Sequence, residues 1–160
     1  MPFNAAVDLA TNPSNAATQL SRTYDSIPPT IVMSASGTNV HSGTTSLITF
    51  TLSEPSTNFT SGDVVATGGT LTGFAGTGSL YTATFVPTAS STASGLINVA
   101  SGTFSDAAGN NNATGATQLA IDVDTIVPTI TMTASGTSLY TAQTSLLTFT
   151  LSEPSTNFSS

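Results

Sequence analysis

Residues 25–61 read DSIPPTIVMSASGTNVHSGTTSLITFTLSEPSTNFTS, and residues 124–160 read DTIVPTITMTASGTSLYTAQTSLLTFTLSEPSTNFSS. The two stretches align without a gap at an offset of 99 residues and are about two-thirds identical. Self-similarity at a fixed period is the signature of a tandem array. Working outward, Ala17-Thr18-Gln19-Leu20 recurs as Ala116-Thr117-Gln118-Leu119 at the same offset, and Asp8-Leu9-Ala10 resembles Asp106-Ala107-Ala108 after a small length change. The expected organisation is the C-terminal tail of a preceding repeat at 1–24, one complete repeat at 25–123, and the N-terminal third of a following, truncated repeat at 124–160. On that expectation the chain is a fragment of a longer array.

Within 25–123 the hydrophobic pattern has period two, the spacing of half-buried strands. Ile48, Phe50 and Leu52 alternate with Thr49, Thr51 and Ser53, and Tyr81, Ala83 and Phe85 alternate with Thr82 and Thr84. Seven strands are predicted: A at Thr30–Ala35, B at Leu47–Ser53, C at Val64–Ala66, D at Thr70–Phe74, E at Tyr81–Phe85, F around Ile97 and Val99, and G around Leu119, Ile121 and Val123. Gly68-Gly69 marks the C–D turn, and Pro87 closes E. Seven short strands in about 100 residues fit an all-β, immunoglobulin-like sandwich. The expected core is Ile31, Met33, Ile48, Phe50, Leu52, Tyr81, Phe85, Ile97, Val99, Leu119 and Ile121.

Composition narrows the functions. The chain has no Cys, Trp or Lys, one basic residue (Arg22) and a net charge of −7. Nucleic-acid binding needs cations that displace counterions from phosphates, and this chain lacks them. A polybasic membrane contact is excluded on the same ground, and no apolar run reaches the length of a membrane span. Neither a Lys-based covalent staple nor a zinc site is supported, since His41, expected in the A–B turn, is the single histidine and its counterpart is Tyr140. Hydrolysis by a nucleophile–base–orienter set would have only His41 as its histidine, on which the repeat does not depend, and Glu54 with Asp106 has no cleft-forming insertion to serve as a glycosidase pair. The triplets opened by Asn58, Asn112 and Asn157 are what a Ser/Thr-rich chain yields by chance. No enzymatic activity is expected.

D-x-x-x-P-T-I near Asp25, F-T-L-S-E-P at the end of strand B, V-x-x-T-G-G-T-L, L-Y-T-A-T-F-x-P-T and G-T-F-S-D-A-A-G-N lie in register along the chain. Together they closely resemble the bacterial immunoglobulin-like repeats of large surface adhesins and biofilm-associated proteins. The resemblance implies a secreted, extracellular module at the bacterial cell surface that spaces a distal domain from the cell or forms part of a matrix. Its partners would be the neighbouring repeats of the same chain, with host-surface or matrix contacts made through other domains. The alternative is a glycan- or protein-binding immunoglobulin-like module, as on a phage tail or virion surface.

Six of the eight acids fall on repeat-equivalent positions: Asp25 and Asp124 at the junction, Glu54 and Glu153 after strand B, Asp8 and Asp106 in the F–G turn. In an up-and-down strand count the junction, the B–C loop and the F–G loop share one pole, so Asp25, Glu54 and Asp106 should converge there with Asn110 nearby. No Lys or Arg occurs in 25–123 to neutralise them. Hard oxygen ligands in such number suit calcium. The expected metal ligands are therefore Asp25, Glu54, Asp106, Asn110, Asp124 and Glu153, and calcium at junctions is also what the resemblance implies. The competing reading makes the same acids solvated loop residues, with Asp106 and Asn110 engaged in local turn bonds.

Overall fold

The computed structural model describes residues 4–159; residues 1–3 and 160, which belong to the two expected end segments, lie outside them. Among the described residues, nine strands run in the order β1 Ile31–Ala35, β2 Asn39–His41, β3 Ser46–Ser56, β4 Val64–Thr67, β5 Gly69–Pro87, β6 Gly95–Val99, β7 Leu119–Asp124, β8 Ile130–Ala134 and β9 Leu147–Leu151. A 3-10 turn, Ser61–Asp63, precedes β4.

Period-two patterning translates directly into pairing. β1, β3 and β5 form one antiparallel sheet with Ile31 opposite Leu52, Met33 opposite Phe50 and Phe50 opposite Tyr81. Directly opposed residues share a face, so the apolar side of each strand lands on one surface and the Thr side on the other. β2, β7, β6 and β4 form the second sheet in that order. The two apolar faces meet in one core that includes Ile31, Ile48, Phe50, Leu52, Phe85, Ile97, Val99 and Ile121. This is the predicted all-β sandwich.

Four details depart from expectation, each for a physical reason. The D and E strands are one unbroken run, β5, that folds back on itself: Thr88 N donates to Gly68 O and Thr72 Oγ1 to Thr84 O. The reversal uses glycines at positive φ, Gly73, Gly76 and Gly78, which side chains with a Cβ rarely adopt. His41 is in a strand instead of a turn, because β2 pairs in parallel with the end of β7, Val40 beside Val123. Met33 and Leu119 are packed against the core but only partly buried. Phe59 and Phe104, both in loops, are fully inside it.

Phe59 is the hub of that interior. Its ring lies 5.1 Å from Tyr81, 5.1 Å from Phe104, 5.6 Å from Phe74 and 5.7 Å from Phe50, edge-on to each. Edge-to-face contact sets the positive rim of one ring against the negative face of another. The end of β3 with its following loop, and the F–G loop, which carry Glu54 and Asp106, are therefore anchored by aromatic plugs.

β8 and β9 pair as β1 and β3 do, with Ile130 opposite Leu151 and Met132 opposite Phe149. Around residue 8 the chain also repeats the turn at Asp106: Asp8 Oδ1 accepts from Asn12 N at 2.9 Å and Asn12 Nδ2 donates to Asp8 Oδ2 at 2.9 Å.

Candidate functional site

Strand direction brings three acids to one pole. Asp25 ends the segment entering β1, Glu54 lies in β3 beyond its last regular pair, and Asp106 opens the turn between β6 and β7. The β3–β5 ladder is regular to Thr51 and resumes at Ser56 opposite Gly78. Pro55, which has no N–H to give, falls inside that irregular stretch beside Glu54.

Asp25 and Asp106 are each held by their own loop chemistry. Asp25 Oδ1 accepts from Ile27 N at 3.0 Å, an Asx turn that Asp124 repeats on Ile126 N at 3.2 Å. Asp106 accepts from Asn110 N and from Asn110 Nδ2, both at 2.8 Å. Asn110 Nδ2 also reaches the main-chain oxygen of Asp25 at 3.2 Å, tying the F–G turn to the junction. The two site loops are joined as well: Asn58 Oδ1 accepts from Ser105 N at 2.9 Å, and Asn58 Nδ2 donates to Ser105 Oγ at 3.2 Å.

Beneath Asp106 lies a residue that sequence patterning did not single out as structural. Asn112 is fully buried, and its Oδ1 accepts from Thr103 N and Phe104 N at 2.9 and 3.1 Å. Its Nδ2 donates to Ala100 O and Thr114 O at 2.8 and 3.1 Å. All four hydrogen-bonding positions of the amide are filled, which fixes the F–G loop from within.

The result is a compact triad. Asp25, Glu54 and Asp106 each present a carboxylate oxygen, and these oxygens lie within 4.8 Å of one another. Asp106 is only 6% exposed and Glu54 half-buried. Burial, then the negative charges of Asp25 and Asp106, push the Glu54 carboxyl above its ordinary 4.5. Asp106 is held below its ordinary 3.8 by the Asn110 side-chain amide first, with burial opposing and loop N–H groups assisting. One acid is thus favoured as an anion while its neighbour is pressed to keep a proton.

Two predicted ligands stand elsewhere. Asp124 and Glu153 join no group of three acids among the described residues. Asn110 turns its Nδ2 toward the triad, so it orients Asp106 and the Asp25 carbonyl by donation instead of offering them an oxygen. Asp106 and Asn110 make the local turn bonds, and they do so inside a converged cluster. His41 is exposed, with its Nδ1 3.1 Å from Ser42 O.

At the opposite pole the chain leaves the sandwich without slack. β7 ends at Asp124, and the next residue, Thr125, is 5% exposed. Thr125 Oγ1 donates to Thr88 O at 2.7 Å and accepts from Ser91 N at 2.9 Å, which latches the exit to the β5–β6 loop. The signal for this was available: position 26, 99 residues earlier, also carries a hydroxyl, Ser26.

A two-sheet arrangement with β1, β3 and a doubled β5 against β2, β7, β6 and β4 defines an immunoglobulin-like sandwich. Residues 25–123 match the family described as Bacterial Ig-like domain, and the chain belongs to that family. No curated protein and no solved structure matches the chain.

Proposed function

We propose that the chain is a non-enzymatic structural module of a tandem array, exposed outside a bacterial cell, whose junctions are stiffened by calcium. On this reading 1–24 and 124–160 are portions of the flanking repeats. The observation that carries the calcium proposal is the convergence of Asp25, Glu54 and Asp106 within 4.8 Å in a domain with no Lys or Arg.

The residues fit the ion. Calcium–oxygen distances of about 2.3–2.6 Å put ligands bound to one ion at most about 5 Å apart, the scale of this triad. All three donors are hard anionic oxygens, which favour calcium over zinc or copper. Asp25, Glu54 and Asp106 would hold the ion, with Asn110 and Asn58 keeping the loops in place. The ion would neutralise the crowding that raises Glu54 and would tie the entering segment to two loops of the sandwich. Support for the stalk role comes from the short exit: Thr125 is buried before the next strand begins, so consecutive modules share a seam instead of a linker.

The test is the shape of a tandem of two copies of residues 25–123, measured by small-angle scattering in millimolar calcium and in chelator. The reading expects a longer, less variable particle with calcium, and the same change abolished by Asp106→Asn. Identical profiles in the two conditions would remove calcium from the account.

A further inference from the structure

The β8–β9 hairpin exposes what β1–β3 buries. Ile130, Met132, Leu147, Phe149 and Phe158 are 46–64% exposed, and their counterparts 99 residues earlier are identical except for Ile48 in place of Leu147. Those counterparts, Met33 apart, are buried, and Met33 packs on the same core. Elsewhere on the hairpin the sequence drifts: Val32 becomes Thr131 and Ser34 becomes Thr133.

The hairpin is also already built for a partner. Thr129 N donates to Ser152 Oγ at 2.8 Å as Thr30 N does to Ser53 Oγ at 2.9 Å. Leu146 N donates to Ser135 Oγ at 2.9 Å as Leu47 N does to Ser36 Oγ at 2.9 Å. Phe149 and Phe158 lie 5.7 Å apart, the separation of Phe50 and Phe59. A groove of about 310 Å³ beside Phe158 is lined by Pro128, Ile130 and Leu151. Glu153 Oε1, elsewhere on the hairpin's end, is buried without a hydrogen-bond partner.

We propose that this face is a docking surface for a half-sandwich built like residues 62–123, the same structure that covers β1–β3. The proposal rests on the tandem-module reading but not on calcium. The chain's own 62–123 cannot serve. Asp124 lies beside His41, ten residues of mostly extended chain past Ile31, a separation of about 25–30 Å. The six Cα steps from Asp124 to Ile130 reach at most about 22 Å, so β8 cannot take the place of β1 while β7 stays paired. A second β8–β9 hairpin is the weaker occupant, because two-stranded hairpins are marginal and each would offer the other no third strand.

The experiment extends the full chain after Ser160 with a second copy of residues 62–123, which continues the register because Ser160 corresponds to Ser61. Amide exchange is then followed in β1, β3, β8 and β9 of both chains. Docking predicts that exchange in 130–134 and 147–151 slows by roughly 100-fold or more in the extended chain, while β1 and β3 stay protected. Phe149→Ala in the extended chain should abolish the new protection and leave β1 and β3 unchanged. Unchanged exchange in β8–β9 on extension overturns the proposal. So does equal protection in the unextended chain together with a dimer in sedimentation, which assigns the face to a second hairpin. Performing the comparison in chelator separates this result from the calcium reading.

Discussion

Truncating Phe59 to Ala tests whether the loop aromatics, more than the strands, hold the acidic pole together. Phe59 is 3% exposed and touches four rings. Removing a buried Phe costs about 3–5 kcal/mol, from lost transfer free energy and the cavity left behind. A domain of this size has about 5–15 kcal/mol in total, so the variant should fold but lose a large share of its stability. With urea slopes of about 1–3 kcal/mol/M, the unfolding midpoint should fall by roughly 1–5 M. The chain carries its own control: Phe158 sits in the same local sequence but is 52% exposed. Phe158→Ala should therefore change the main transition by less than about 0.5 kcal/mol. Equilibrium urea unfolding followed by circular dichroism reads both. A Phe59→Ala loss below about 1 kcal/mol, or equal losses at the two positions, would refute the assignment of Phe59 as the hub.

The remaining expectations are narrower. Asn112→Ala should cost about 3 kcal/mol or more by orphaning two N–H and two C=O groups, read by urea unfolding, and should speed amide exchange at Thr103 and Phe104. Thr125→Val keeps shape but loses the latch, so exchange at Ser91 N should accelerate and stability fall by about 1–3 kcal/mol. Gly95→Ala would drive a Cβ into the Phe85 ring and should cost about 1–3 kcal/mol by overpacking, seen as a lower midpoint in thermal melts. The pH profile has two parts of opposite sign. Glu54, raised in the folded state, favours folding as pH falls from above its folded value toward 4.5, and Glu54→Gln should flatten that rise. Asp106, lowered in the folded state, contributes stability above 3.8 that is lost as pH falls through its folded value, and Asp106→Asn should remove that loss.

Strand identity and the meeting of the acids were legible because both follow from period-two patterning. Once Ile48, Phe50 and Leu52 are assigned to one face, the register with β1 and β5 follows, and strand direction alone carries Asp25, Glu54 and Asp106 to one end. What escaped has no period. Phe59 and Phe104 lie in loops, where no alternation marks an inward residue, although the recurrence of Phe59 as Phe158 was a usable sign. β2 is three residues long and exists only through its parallel contact with β7, far along the chain. Asn112 reads as a turn residue until the loop is folded around its amide.

Calorimetric titration of the full chain with calcium, beside its Asp106→Asn variant, addresses the central claim most directly. The account predicts binding to the parent chain at the Asp25–Glu54–Asp106 site with a dissociation constant of about 10⁻⁴–10⁻³ M, the range of extracellular calcium modules. Affinity should weaken as pH falls through the raised value of Glu54, because calcium must displace its proton. At ten times the dissociation constant, linkage adds about 1.4 kcal/mol, enough to raise the melting temperature by several degrees over chelator. The variant should show neither the heat nor the shift. No heat at 10 mM calcium, on the order of ten times the weakest constant expected, with a melting temperature indifferent to chelator, would contradict the account and leave the three acids as a hydrogen-bonded loop cluster.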